Sequence, residues 1–179
     1  SAAEPDVALL LRPRGNGEVK LLRLNLNDAS VTESELPDDF GNAQVMDIIL
    51  YEGGLVLARR ADDVAVWKGT PDVSGWDFET LNLNDEIAGL SPSKITMQVV
   101  GDSIHLGMLF EGTKRWILCQ IDSDDAVTKI DQVAFAELDV TPTGITLVPR
   151  PTGHHGLPPG CRPVWICVHQ DSGEIDLWL

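Results

Sequence analysis

The stretch that decides the fold is Val164 to Leu179, V-W-I-C-V-H-Q-D-S-G-E-I-D-L-W-L. Val164, Ile166 and Val168 alternate with Trp165, Cys167 and His169. After Gln170-Asp171-Ser172-Gly173, the residues Ile175, Leu177 and Leu179 alternate with Asp176 and Trp178. Side chains of a strand point to opposite faces in turn, so a period of two reads as strand. Both faces here are largely apolar, which predicts a hairpin covered on both sides. Asp171 and Gly173 supply the turn, since Gly accepts positive φ and Asp bonds its own backbone.

The same unit occurs three more times upstream. Val7 to Leu11 and Glu18 to Leu26 flank Arg12-Pro13-Arg14-Gly15-Asn16-Gly17. Leu55 to Ala58 and Val64 to Trp67 flank Arg59-Arg60-Ala61-Asp62-Asp63. Ile104 to Phe110 and Arg115 to Ile121 flank Glu111-Gly112-Thr113-Lys114. An apolar run precedes three of the hairpins: Gln44 to Tyr51, Lys94 to Val100 and Thr143 to Val148. A more polar strand follows three of them: Ser30 to Leu36, Trp76 to Leu83 and Val127 to Phe135. No segment sustains the i, i+3, i+4, i+7 pattern of a helix. A short helix after Asp39 and one turn at Phe135 to Leu138 are the minor helical alternatives. The expectation is an all-β chain forming one domain over residues 1–179, with no composition shift to mark a second.

Units of about 40–50 residues, each with four short strands, are the signature of propeller blades. The endings Asp62-Asp63-Val64-Ala65-Val66-Trp67-Lys68 and Gly173-Glu174-Ile175-Asp176-Leu177-Trp178-Leu179 resemble the third-strand endings of WD40 repeats. No Gly-His pair precedes the units, and Trp76-Asp77 opens a strand instead of closing one. The resemblance therefore implies a degenerate WD40-like array of four-stranded antiparallel blades. Fourteen strands can be counted, or about three and a half blades. The first unit lacks its innermost strand and the last lacks its outermost. Closed propellers have roughly four to eight blades, and raw sheet edges tend to pair. Three outcomes follow from this: completion by another chain, completion by a second copy, or a compact four-bladed ring. Ile175, Leu177 and Trp178 are then expected at a partner-binding edge.

The chain has 179 residues, 43% of them apolar, enough for a real core. Its formal charge is −15, from 13 basic and 28 acidic residues. That opposes binding to nucleic acid through phosphates, which needs clustered Lys and Arg, and opposes an anionic membrane surface. No apolar run is long enough to span a bilayer, and no signal peptide is evident. Ser1-Ala2-Ala3-Glu4-Pro5 opens the chain without Met, which reads as a processed or trimmed end. The three cysteines, Cys119, Cys161 and Cys167, favour a reducing, intracellular compartment.

Each candidate site has a plainer reading beside it. Thr70-Pro71-Asp72-Val73-Ser74-Gly75-Trp76 is similar to the Asp-box of sialidase-type propellers, with the spacing one residue short and the Gly displaced. A glycosidase would also need convergent carboxylates or an Arg cluster on inner strands. Arg59, Arg60 and Arg115 flank hairpin turns instead. His154, His155, Cys161, Cys167 and His169 include proper zinc ligand types, but not at a familiar spacing. Cys167 in an apolar strand reads more simply as a small hydrophobe. Asp122, Asp124 and Asp125 lack the closing Glu of a calcium loop. His105 reads as a sheet histidine. The long loop Pro149 to Pro163, with His154, His155 and Leu157, is the best guess for a contact surface, because long loops on rigid scaffolds often carry function. No nucleophile motif, phosphate loop or cofactor signature is found. The expectation is therefore a non-enzymatic, acidic protein-interaction scaffold, a complex subunit with no cofactor. Its partner is a protein or a second copy, with neither nucleic acid nor membrane involved. The alternative is a carbohydrate-binding or glycosidase-type propeller. It draws on five tryptophans, of which Trp67, Trp116, Trp165 and Trp178 lie within strands.

Overall fold

In the computed structural model, the described residues are 7–13, 19–34, 36, 45–51, 54–60, 63–72, 75–122, 124–134, 142–151, 162–173 and 175–178. They form four sheets that follow one another along the chain. Sheet I holds β1 (Val7–Pro13), β2 (Val19–Asn25) and β3 (Val31–Ser34). Sheet II is the antiparallel meander β4 (Val45–Tyr51), β5 (Gly54–Arg60), β6 (Val64–Asp72) and β7 (Gly75–Thr80). Sheet III contains β9 (Lys94–Val100), β10 (Ser103–Phe110), β11 (Arg115–Ile121) and β12 (Ala126–Ala134). The short β8 (Asn82–Leu83) pairs with β12 in parallel. Sheet IV holds β13 (Pro142–Pro149), β14 (Val164–Gln170) and β15 (Ile175–Trp178).

The architecture is thus all-β and multi-sheet, as the period-two runs predicted. One strand is additional. The expected strand Trp76 to Leu83 is broken at Leu81, whose buried side chain and N–H bond to the Val66 carbonyl (2.9 Å) end the sheet II pairing. The chain then crosses to sheet III as β8. A 3-10 turn, Glu111–Thr113, joins β10 to β11. The short-helix alternative for the run from Gln44 to Tyr51 gives way to strand β4, which pairs with β5 along its length, and the turn at Phe135 to Leu138 lies outside the described residues. Within the Asp-box-like stretch, Asp72 pairs with Gly75 across β6 and β7.

Why both faces of the hairpins are apolar is now plain: the sheets pack face to face in chain order. Val56, Ala58, Val64 and Val66 of sheet II meet Ile95, Met97, Ile104, Leu106, Met108, Ile117 and Cys119 of sheet III. On the other face of sheet II, Trp67 packs with Leu21 of sheet I, beside Ile48, Leu50 and Phe78. On the other face of sheet III, Leu109, Trp116 and Leu118 pack with Ile145, Leu147, Val164, Ile166 and Val168 of sheet IV. Strand β10 shows the logic in one element, since Ile104, Leu106 and Met108 face sheet II while Leu109 faces sheet IV. Gly107 lies on that second face, where an added Cβ would come within 3.1 Å of Leu147. The innermost strands β4, β9 and β13 are neighbours across the sheet boundaries.

Polar contacts pin the same boundaries. Lys68 of β6 meets Asp125 at 2.8 Å with both carboxylate oxygens in reach. Arg162, just before β14, pairs with Asp131 of β12 and lies over the Trp116 ring. Among the described residues, sheets I and IV are not closed on one another, and β15 pairs only with β14.

Leu106 is fully buried between sheets II and III. Leu106→Ala should lower unfolding free energy by about 2–5 kcal/mol, because it removes methylenes and leaves a cavity. Ile130→Ala, at a side chain 43% exposed, should stay within about 0.5 kcal/mol. Urea unfolding of the two variants checks the contrast.

Candidate cation-lined site at the shared end of sheets II and III

The register of sheets II and III fixes where their charged residues sit. Strand β4 begins beside the end of β5, with Val45 opposite Arg60 and Met46 opposite Arg59. Strand β9 begins beside the end of β10, with Lys94 opposite Leu109. Arg115 opens β11 opposite Phe110. The two inner strands run in the same direction. Asp47, near the start of β4, accepts the Met97 N–H of β9 at 2.6 Å. Tyr51, at the end of β4, donates its hydroxyl to the Asp102 carbonyl just beyond β9. Strand starts therefore lie beside strand starts, and Lys94, Lys114 and Arg115 come to the end of the two-sheet unit at which β5 finishes.

These cations differ from those elsewhere. Lys68, Lys129 and Arg162 each meet a carboxylate, of Asp125, Glu86 and Asp131 respectively. Lys94, Lys114 and Arg115 have no carboxylate partner among the described residues. The Arg115 guanidinium carbon stands 4.6 Å above the Phe110 ring, and its Nε is buried without a hydrogen-bond partner. Lys114 is held in the left-handed region (φ 45°) by the 3-10 turn before it. Ser93 Oγ accepts the Glu111 N–H at 2.9 Å and ties the strand-entry loop to that turn. Glu111 and Asp63, both exposed, are the described carboxylates at this end. Arg115, opposite Phe110, stands on the face of sheet III turned to sheet II, and Lys94, opposite Leu109, on the face turned to sheet IV. A planar guanidinium with an ammonium next to it in the chain suits a carboxylate or phosphate group.

Asp47 lies below this end, at the junction of the inner strands. It accepts the N–H groups of Met97 and Ile48. Burial pushes its carboxyl above the ordinary range, and the bonds from Met97, Ile48 and Thr96 oppose that shift. Its lone pairs are committed to the backbone, so it positions two strands.

The other sequence candidates separate. His154, His155, Leu157 and Cys161 lie outside the described residues. Ile175, Leu177 and Trp178 lie on β15, opposite His169, Cys167 and Ile166 of β14. Cys167 and His169 do share one face, but the His169 Nε2 contacts Thr146 Oγ at 2.8 Å. Asp122 is a turn device, with one carboxylate oxygen accepting the N–H groups of Asp124 and Ala126. Buried His105 has its pKa lowered by desolvation. Cys119 is fully buried and its thiol is pushed up to about 12, so it is no nucleophile near neutrality. The described residues contain no cluster of metal-ligating side chains. No helix among them is long and apolar enough to cross a membrane.

The cation end escaped the sequence reading because its members lie far apart along the chain and mark ordinary hairpin turns. The available signal was the repeat itself: hairpin turns of successive units fall at equivalent positions, so cations beside two such turns fall at one end.

No protein-family model matches the sequence, and no curated protein matches it. Solved structures do match in fold. One is a Bacteroides fragilis protein provisionally assigned as a 6-phosphogluconolactonase, with 14% identity and a TM-score of 0.52. The match covers 95% of this chain and 47% of that one. Another is a Lactobacillus plantarum protein, with 13% identity, a TM-score of 0.46, and coverage of 96% and 50%. The chain thus spans about half the length of the structures it matches. The first likeness overturns the expectations of a non-enzymatic scaffold and of no enzymatic activity, with their descriptors of protein–protein interaction and complex subunit. The fold is shared with an assigned lactonase. The physical reason for the error is that a site built from strand ends of separate sheets leaves no local motif. A missing motif is therefore no argument against catalysis.

Asp47→Asn should flatten one component of the pH dependence of stability. A carboxyl whose folded pKa is raised holds its proton longer in the folded state, so stability falls as pH rises from about 3.8 through the folded value. Asn has no such transition. Denaturant unfolding at a series of pH values from 3.5 to 7 should show the wild type losing stability relative to the variant as pH rises. A constant difference would contradict this.

Proposed function

We propose that the four sheets are consecutive blades of a WD40-like β-propeller completed by a further chain or copy. We propose further that this propeller handles a sugar-type ligand bearing an acid group, in an intracellular compartment. The observation that carries the reading is the set of cations at the shared end of sheets II and III, in a chain whose formal charge is −15. An acidic protein repels anions at long range, so a local group of cations without carboxylate partners is selective for an anion that reaches it. The fold shared with an assigned 6-phosphogluconolactonase supports a ligand of that kind, a phosphorylated sugar acid or its lactone.

The chemistry follows from the donors present. Arg115 offers a planar fork to a phosphate or carboxylate, with the Phe110 ring fixing its plane. Lys114, its neighbour in the turn, adds an ammonium donor at the same end. In lactone hydrolysis water attacks the ester carbonyl and the ring C–O bond breaks. A nearby cation lowers that barrier by stabilising the oxyanion that forms. The cations thus have two tasks open to them, anchoring the acid group and stabilising the oxyanion.

Calorimetric titration of the whole chain with 6-phosphogluconate, gluconate and glucose tests the reading. The phosphorylated acid should bind most tightly and glucose most weakly, and the preference should shrink as salt rises. Arg115→Gln should weaken 6-phosphogluconate binding about tenfold or more, as loss of a charged hydrogen bond of ~1.5–3 kcal/mol requires. Hydrolysis of 6-phosphogluconolactone, followed by acid release, reads the catalytic half. Equal affinity for glucose, or an Arg115→Gln variant that binds as well as wild type, would overturn the reading.

A further inference from the structure

Among the described residues, sheets II and III have buried clusters on both faces, whereas sheets I and IV each have one on a single face. The two uncovered faces are still built like interior ones. On sheet I, Leu22 and Leu24 alternate with buried Leu21 and are only half-buried. Val31, opposite Leu24, is 56% exposed, and Leu26 in the adjoining turn is 57% exposed. On sheet IV, Trp165, Cys167 and His169 alternate with the buried Val164, Ile166 and Val168. Val148, opposite Trp165, is 36% exposed. Three of the four exposed large hydrophobics of the described residues therefore belong to the two end sheets.

Charge points the same way. The chain has 28 acidic residues, yet among the described strand positions on these two faces Glu33 is the one acidic residue, with Lys20 and Arg12 paired at the edge of the sheet I face. Depletion of charge with retention of aromatic and aliphatic groups marks the core of a protein interface.

We propose that a second copy of this chain covers both faces, with sheet I of each copy packed on sheet IV of its partner. The proposal rests on the blade reading above and not on the sugar ligand. Two observations select a second copy as the occupant. The raw faces lie at opposite ends of one stack and are unlike, so a single twofold pair covers both at once, in a head-to-tail contact that closes after two copies. The solved structure sharing the fold is matched over 47% of its length, so a unit of about this size makes up the remainder. Cys167, half-buried on the outward face of sheet IV, becomes enclosed in the pair, whereas Cys119 is enclosed in either state.

Sedimentation equilibrium of the whole chain at micromolar concentrations tests this. The expected mass is twice 19.5 kDa, about 39 kDa. Leu22→Glu on sheet I and Val148→Glu on sheet IV each place a carboxylate in both contacts of the pair. Each should weaken dimerisation at least tenfold and yield monomer with an unchanged far-UV circular dichroism spectrum. Because Val148 is already partly exposed, that variant keeps the test sound if Leu22→Glu fails to fold. Mixing the two variants should restore a pair through its one unaltered contact. A wild-type chain that stays at 19.5 kDa overturns the proposal. So does a dimer broken by only one of the two variants, which would mean like faces pair. A monomer that still binds 6-phosphogluconate would overturn the pairing alone, and a dimer that binds no anion would overturn the ligand alone.

Discussion

Burial of both faces of sheets II and III is the constraint on which the rest of the structure depends. A sheet covered on one side needs apolar residues at every second position. A sheet covered on both needs them at nearly all, and β10 meets that demand from Ile104 to Phe110, all of it buried. Each fully buried aliphatic side chain contributes roughly 1.5–3 kcal/mol relative to exposure. Such gains accumulate only if neighbouring sheets hold their register. The polar pins serve that end: Asp47 to Met97, Tyr51 to Asp102 and Lys68 to Asp125 all tie sheet II to sheet III. The one ion pair among them, Lys68 to Asp125, is partly exposed and adds little energy, and its use is alignment.

Alignment is what creates the cation end. Lys94 opens β9, and Lys114 and Arg115 stand at the start of β11, at the end of sheet III that lies beside the end of β5. They gather because β4 and β9 run side by side in one direction. Had sheet III packed the other way up, Lys94 and Arg115 would stand at the far end, and the Lys68–Asp125 pair could not form. The fold thus places cations at one end of two sheets in an otherwise acidic chain without any local motif. Hence the scaffold reading, drawn from missing motifs, gives way before a fold shared with a protein provisionally assigned as a 6-phosphogluconolactonase.

Much of the fold was legible in the residues. Period two in Val164 to Val168, and again in Ile104 to Phe110, fixed both the strands and their two-sided burial. The four hairpins and the polar fourth strands also followed from the pattern. The break at Leu81 did not, because it depends on a tertiary bond to Val66 and on a parallel pairing of β8 with β12 that no local signal encodes. The Asp47 bridge was equally hidden, since an Asp within an apolar run gives no hint of the backbone it will meet fifty residues later. Of the residues singled out for partner contact, Ile175, Leu177 and Trp178 do lie on a strand paired on one side only among the described residues.

Hydrogen–deuterium exchange on the folded chain tests the central claim most directly. Protection tracks the free energy of opening, and the most deeply packed units open last. If burial on both faces holds the structure, amides of β5, β6, β10 and β11 will exchange last, by one to several orders of magnitude over those of β2, β3 and β14. Equal protection across all four sheets, or slowest exchange in sheet I or IV, would contradict the account.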